Sequence, residues 1–519
     1  MNAPDAVTAE RIGLTWLRGV LAPAGAFGRA FDAAREPYGP GDEDAARAEA
    51  ARVLTYAERF DRETALRLRA LLRAVPEPAA IAVRVRAGDA PSDADLHELQ
   101  RFVDTVDALC AALADDTFVP PLDTVRAILA PGREDAGGWY LADAFHPDLA
   151  SARSRFAATE AALDDERARI RAAVQAQLGI EPAGDEFVVL REIYDGPAPD
   201  GTHVARETPV YRMFAMTLHA PGREHALAQL AAAEESARAS LGAALAAETA
   251  AIFKAAAALG ALDRLLARII FTQAWGGCIP DFEAGRVAFR DATFAPLAEA
   301  VRASGRRYTP LTFDLHGVAV LTGPNMGGKS AALATAGFLA ACVALGVPPP
   351  ARRACLPLLA RIAWIGGESA PERDRLLSAY GAEVVRAGEI LRSADARTLV
   401  LVDEFARTTG PREGRALLAA FAEALRDAGA FALVATHFEG IGAGFARFRI
   451  AGLGGVAPRG AGLEAALDAI NAAMDYRVVP AGAGAGPSDA LALAKLLGLD
   501  ARVVDRAAVL YEAGEKDVP

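Results

Sequence analysis

Apolar residues recur every three or four positions in "AARVLTYAERFDRETALRLRALLRAV" and "DLHELQRFVDTVDALCAALADD", which predicts helices with one buried face over most of residues 1–150. Breaks carrying Pro and Gly, at "EPYGPGDED" and "FVPPLDTVRAILAPGREDAGG", separate these helices. Residues 149–178, "LASARSRFAATEAALDDERARIRAAVQAQL", predict a long and highly charged helix, and residues 224–272 predict a second. Between the two, "DEFVVLREIYDG" and "TPVYRMFAMTLHA" carry β-branched and aromatic residues bounded by Gly and Pro, the mark of short strands. Two long helices joined by a small β-rich tip form either a projecting arm or a hairpin within a bundle, and periodicity alone does not separate these.

From residue 276 apolar runs alternate with helical stretches, which predicts a parallel α/β sheet. The Gly-rich "VPAGAGAGPSD" reads as a turn or loop before a last helical pair, "ALALAKLLGLDARVVDRAAVLYEAG". The expected fold class is therefore α+β and multidomain. Its parts are a helical core at 1–148, the long helices and their tip at 149–275, an α/β domain at 276–478 and a C-terminal helical segment at 479–519.

Length and composition agree with that division. A chain of 519 residues suffices for two to four domains, and 52% hydrophobic with 24% charged residues is a globular composition. Cys110, Cys278, Cys342 and Cys355 are scattered, with no CxxC pair, so a reducing cytoplasm is the expected setting. The N-terminus shows no basic stretch followed by an apolar one, so no signal peptide is expected. His97 and His146 sit in no ligand-like cluster and read as ordinary core or surface histidines. A net charge of −12 lowers the expectation of a protein that mainly grips nucleic acid, without excluding a local basic patch.

The chemistry concentrates in the α/β segment. The short apolar strand "HGVAVLT" leads into Gly323, Pro324, Asn325, Met326, Gly327, Gly328, Lys329 and Ser330, which fit G-x-x-x-x-G-K-[ST] with a helix-forming run behind. Glycines let backbone N–H groups turn toward phosphates, and the helix N-terminus adds partial positive charge. Lys329 is placed to reach the β- and γ-phosphates and Ser330 to ligate Mg²⁺. The following "AALATAGFLAACVALG" is apolar enough to resemble a membrane span. A helix that starts in a loop built to hold charge cannot begin inside hydrocarbon, so this run is expected to be a buried helix ended by "VPPPA", with no membrane partner.

In "TLVLVDEFART" four apolar residues end in two carboxylates, Asp403 suited to hold Mg²⁺ through water and Glu404 to polarise an attacking water. A third strand, "FALVAT", ends in His437, placed to sense the γ-phosphate.

Together these motifs resemble the ATPase domain of the MutS family of DNA mismatch-repair proteins, a branch of the ABC-type ATPases. "TGPNMGGKS" is similar to that family's P-loop, including the Asn325–Met326 pair. "LVLVDEFARTTGPREG" resembles its Walker B strand and the loop after it, "ATHF" its histidine switch, and "MDYRVVP" with "ALALAKLLGLDARVVDRA" its C-terminal segment. The long helices running into "ALDRLLARIIFTQAW" look like its lever arms, and their tip like a reduced clamp. The resemblance implies ATP and Mg²⁺ as ligands and head-to-tail pairing of two ATPase domains, as a homodimer or with a related chain. Each nucleotide is then completed by a signature helix from the partner. The matching stretch here is "LLSAYGAEV", with Ser378 at the helix start, where a hydroxyl suits a γ-phosphate, and Glu383 further along.

Departures from the family pattern accompany these matches. No counterpart of the mismatch-reading domain with its Phe-x-Glu wedge is expected, the tip at 179–223 is small for a full DNA clamp, and no nuclease-like domain is expected at the C-terminal end. "FARTTGPREG" stands where mismatch-repair members carry a Gly-Arg-Gly-Thr-Ser pattern. Two functions fit: an ATP-gated dimeric clamp associated with DNA, which the breadth of the resemblance favours, or an ATPase that reactivates an adenosylcobalamin-dependent aminomutase, a role with which short MutS-like ATPases resembling this one are associated. A scaffold with little turnover fits poorly with the intact Lys329, Ser330, Asp403, Glu404 and His437.

Overall fold

The computed structural model describes residues 4–113, 118–134, 138–324, 328–367, 379–407, 409–438, 441, 444–453, 474–481, 491, 494 and 499–514. The chain forms two compact units, one of residues 1–73 with 260–519 and one of residues 74–259. These units do not follow the four sequence segments, because the first 73 residues are built into the same unit as residues 260–519.

The unit of residues 74–259 contains α6 (Ala79–Ala87), α7 (Asp93–Leu113), α8 (Asp123–Leu129) and α9 (Leu149–Leu178), numbered after the five helices of the other unit. Three antiparallel strands follow, β1 (Glu186–Leu190), β2 (Thr202–Glu207) and β3 (Tyr211–Met216), in the order β1-β3-β2. Alternation sets their faces: Phe187, Val189, Phe214 and Met216 turn inward and pack on Ile170 and Val174 of α9. The last helix of this region, α10 (Arg223–Trp275), is uninterrupted and runs in sequence across the boundary between the units. It is the one helix among the described residues long and apolar enough to cross a membrane.

The other unit opens with α1 (Ala6–Arg11), α2 (Leu14–Val20), α3 (Ala26–Ala33), α4 (Glu43–Arg59) and α5 (Arg62–Arg73). After α10 come β4 (Val287–Ala292), α11 (Ala295–Ala303), β5 (Leu311–Leu315), β6 (Val318–Thr322), α12 (Lys329–Ala344), β7 (Arg353–Cys355) and β8 (Arg361–Ile365). The chain continues through α13 (Ala379–Ser393), β9 (Thr398–Asp403), α14 (Pro411–Asp427), β10 (Phe431–Ala435), β11 (Ala446–Leu453), β12 (Met474–Pro480) and α15 (Ala501–Gly514). Six strands form one sheet in the order β12-β11-β6-β10-β9-β8, parallel except where β12 runs against β11. A second, antiparallel sheet, β5-β4-β7, stands where the sequence pattern predicts only parallel strands. Its strands are short and half-buried, so their alternation does not separate them from the buried ones.

The six-stranded sheet is covered on both faces, which is why β9 and β10 are buried at every residue. Ala319, Leu321, Leu399, Leu401, Leu433 and Ala435 face α12 together with Ile12, Leu14 and Leu17. Val318, Val320, Val400, Val402, Ala432 and Val434 face the opposite way, toward Ala387 and Ile390 of α13 and Leu418, Phe421, Ala422 and Leu425 of α14. The α14 positions are spaced as one helical stripe. In α12, by contrast, every residue but Ser330 and Ala331 is buried, since the sheet lies on one side and the N-terminal helices on the other. The apolar run after Ser330 is thus a core helix.

Hydrogen bonds tie the first helix to this sheet. Asp5 caps α1 by accepting from Thr8 N at 3.0 Å, and the fully buried Thr8 Oγ1 accepts from Trp364 N in β8 at 3.0 Å. Arg386 of α13 bridges Trp364 O at 2.5 Å and Asp5 at 2.8 Å.

Candidate functional site

Strand register gathers the chemistry at one edge of the sheet. Ala435 of β10 lies opposite both Asp403 of β9 and Leu321 of β6, and Ile365 of β8 lies opposite Val402. The carboxyl ends of four parallel strands therefore finish level, where an open α/β sheet leaves its crevice. Thr436 N donates to Leu321 O at 3.1 Å and Glu404 N to Ala435 O at 3.0 Å, which stitches the three loops together just past the strands.

Gly328 precedes α12 with φ +89, a left-handed conformation that a residue with a Cβ rarely adopts, and a Cβ there would come 3.3 Å from the Tyr476 ring. This turn sets Lys329 at the helix N-terminus. Its side chain is only 5% exposed, and Nζ donates to Gly323 O at 2.9 Å and Pro324 O at 3.1 Å. Glu404 Oε1 lies 3.6 Å from the same nitrogen. Burial pushes the Lys329 pKa down, against the pull of the Glu404 and Asp403 charges.

Ser330 is exposed and donates from Oγ to Asp403 Oδ2 at 2.8 Å. Burial, 9% exposed, raises the Asp403 carboxyl above its ordinary range; the Ser330 hydrogen bond and the Arg11 and Lys329 charges oppose this, while Glu404 reinforces it. A hydroxyl and a desolvated carboxylate side by side are hard oxygen donors that fit Mg²⁺, an ion that keeps several waters and takes few protein ligands. Among the described residues no group of three or more His, Cys, Asp and Glu side chains could hold a metal ion.

Glu404 itself has φ +55, and its carboxylate lies between Lys329 and Arg407 Nη1, the latter 3.5 Å away. His437 follows β10 with an exposed side chain, its ring 4.5 Å from that of Phe438. Phe438 N in turn donates to Thr436 Oγ1 at 3.0 Å. Lys329, Ser330, Asp403 and Glu404 are thus brought together, with His437 at the end of the neighbouring strand. Asn325, Met326, Gly327 and Ser378 lie outside the described residues.

Two contributions have no signal in the sequence. Gly366, φ +94, lies so close under Asp403 that a Cβ would meet its carbonyl oxygen at 1.8 Å. Arg11, nearly 400 positions away from Asp403, bears on its charge, and a Cβ at Gly367 would come 2.6 Å from the Arg11 guanidinium. Beside the site, a surface cavity of about 420 Å³ is lined by Thr293, Arg302, Arg306, Arg307, Tyr308 and Pro310. It adjoins Tyr476, whose hydroxyl feels the Arg306 charge and whose ring lies beside Gly328.

Residues 319–513 match the family model described as MutS domain V. The Endonuclease MutS2 of Solidesulfovibrio magneticus is 34% identical over 34% of this chain and 23% of its own length. The DNA mismatch repair protein MutS of Natronomonas pharaonis is 34% identical over 37% of this chain and 22% of its own. The Endonuclease MutS2 of an Anaeromyxobacter species is 31% identical over 55% of this chain and 36% of its own. The chain thus spans well under half the length of the curated relatives it matches. Residues 319–513, which hold Lys329, Ser330, Gly366, Asp403, Glu404 and His437, are thus similar to domain V of the MutS family.

Proposed function

We propose that the chain binds ATP with Mg²⁺ and hydrolyses it to ADP and phosphate. The observation that carries this reading is the convergence of Lys329, the Ser330–Asp403 pair and Glu404 within hydrogen-bond or ion-pair distance at the ends of adjacent parallel strands. Lys329 exchanges its carbonyl partners for β- and γ-phosphate oxygens, supported by the N-terminus of α12. Ser330 and Asp403 would hold Mg²⁺, which would neutralise charge on the phosphate oxygens. Glu404 orients the attacking water and accepts its proton at an Oε atom as the new O–P bond forms and the bond to the ADP oxygen breaks. His437, just past the end of β10, helps position that water. The cavity beside Tyr308 offers room for the nucleoside.

Steady-state hydrolysis by the purified chain tests the proposal. Glu404→Gln is expected to keep ATP binding and slow turnover by about 10²-fold or more, and Lys329→Ala to weaken binding. Unchanged turnover in Glu404→Gln removes that residue from the mechanism.

The resemblance to MutS proteins supports two further steps: pairing of two such domains into composite sites, with Ser378 completing the partner's site, and use of the long helices to carry nucleotide-driven motion to DNA. A grip through Z phosphates lowers log K with log salt at a slope near −0.9Z. A weak, salt-independent response to duplex and branched DNA would reject the DNA target and leave a protein target in its place.

A further inference from the structure

Among the described residues three non-glycine residues have positive φ, and two of them, Glu404 at +55 and Ala406 at +61, lie in the loop directly after β9. The left-handed region is costly for an L-residue, so a loop that visits it twice in three positions must be held from outside. Three contacts do so. Glu404 N donates to Ala435 O at 3.0 Å. Phe405 is buried, its ring 5.4 Å from that of Phe421 in α14. Ala406 N donates to Glu383 Oε2 at 3.0 Å.

The third contact differs in kind from the other two. A main-chain carbonyl and a packed ring come with the fold, whereas a half-buried carboxylate on α13 is a specific and costly choice. Burial raises its carboxyl pKa, and the Ala406 hydrogen bond and the Arg407 charge work against that rise. No catalytic part in the proposed reaction is assigned to Glu383, which meets the loop two residues beyond Glu404.

We propose that Glu383 is a positioning residue for ATP hydrolysis: by accepting the Ala406 amide, its carboxylate holds residues 404–407 in the left-handed turn that presents Glu404 beside Lys329. The conformation of the catalytic loop is thereby tied to α13. This inference rests on the ATPase reading and adds to it a residue that never touches the nucleotide.

The test uses the full chain, with ATP affinity, kcat, KM and melting temperature measured for Glu383→Ala, Glu383→Gln, Glu404→Gln and the Glu383→Ala/Glu404→Gln double variant. Glu383→Ala is expected to lower kcat about tenfold or more while ATP affinity stays within about threefold, the pattern of an interaction felt only in the transition state. Glu383→Gln, whose amide oxygen can accept the same N–H, should keep about a third or more of kcat. In the double variant the second change should add less than about twofold, because Glu383 acts through Glu404. Should Glu383→Ala fail to fold, Glu383→Asp, one methylene short of Ala406, carries the same expectation.

Three results overturn the inference: full turnover in Glu383→Ala, affinity falling in parallel with kcat, or losses that multiply in the double variant. If wild type hydrolyses ATP and Lys329→Ala does not, full turnover in Glu383→Ala sinks this inference alone. A wild-type chain with no turnover sinks the ATPase reading as well.

Discussion

Ser330 Oγ donates a 2.8 Å hydrogen bond to Oδ2 of Asp403, joining the first turn of α12 to the last residue of β9 across 73 positions of sequence. In the proposed reaction, two oxygen donors so placed would hold Mg²⁺ without further protein ligands. Ser330→Ala and Asp403→Asn are each expected to lower ATP turnover by about 10²-fold. The tightening of ATP binding on adding Mg²⁺ should disappear with it. Equilibrium binding with and without Mg²⁺ checks this, and an intact Mg²⁺ effect in both variants would exclude the pair as ligands.

Gly366 is predicted to be intolerant of even one methyl. Its Cβ would lie 1.8 Å from the Asp403 carbonyl oxygen, and its φ of +94 disfavours any side chain. Gly366→Ala should destabilise this unit by about 3 kcal/mol and shift Asp403 away from Ser330. Thermal melting and ATP turnover should fall together. A variant that melts normally and turns over ATP normally would contradict the close approach.

Thr8 tests whether the N-terminal helix is part of the sheet-bearing unit. Its hydroxyl, fully buried, accepts from Trp364 N and donates to Asp5 Oδ2 at 2.8 Å. Thr8→Val leaves a buried N–H unpaired and should cost about 1–3 kcal/mol, whereas Thr8→Ser should stay within about 1 kcal/mol of wild type. Urea unfolding followed by tryptophan fluorescence separates the two; equal midpoints for Thr8→Val and wild type would detach α1 from β8.

Among the described residues three carboxyls, Asp263, Glu383 and Asp403, have raised pKa values, burial being the main cause in each. The folded chain therefore holds their protons to higher pH than the unfolded chain does. Above the ordinary values of 3.8 and 4.5 it binds more protons than the unfolded chain, so stability falls as pH rises through the raised values. Carboxyls held low by a neighbouring guanidinium, such as Asp314 beside Arg286, act in the opposite sense, as pH falls through their ordinary values. Melting temperature without nucleotide or Mg²⁺ should accordingly decline as pH rises above these ordinary values. Glu383→Gln should show a shallower decline, and identical slopes in the two proteins would remove Glu383 from this set.

Much of the site is legible in the order of residues alone. Gly328, Lys329 and Ser330 lie between a short apolar strand and a helix, and Asp403 and Glu404 end a run of four apolar residues, because phosphate binding and buried strands each impose local, contiguous patterns. The long helices expected at 149–178 and 224–272 are equally plain and emerge as Leu149–Leu178 and Arg223–Trp275. Asp263 shows the other case: it is 1% exposed and accepts from Ala24 N and Gly25 N at 2.9 and 2.7 Å, and nothing near it in sequence marks it.

Elements and motif are written locally, since helical and strand periodicity, a Gly-rich turn and an acidic strand end are properties of neighbouring residues. Which distant groups share one environment is settled only by folding. The level ends of β6, β9 and β10, the carbonyl of Asp403 resting on Gly366, the Glu383 carboxylate beneath Ala406 and the seating of α1 on β8 all follow from strand register and side-chain packing. Those depend on how separate segments fill one core, and spacing along the chain carries no record of it.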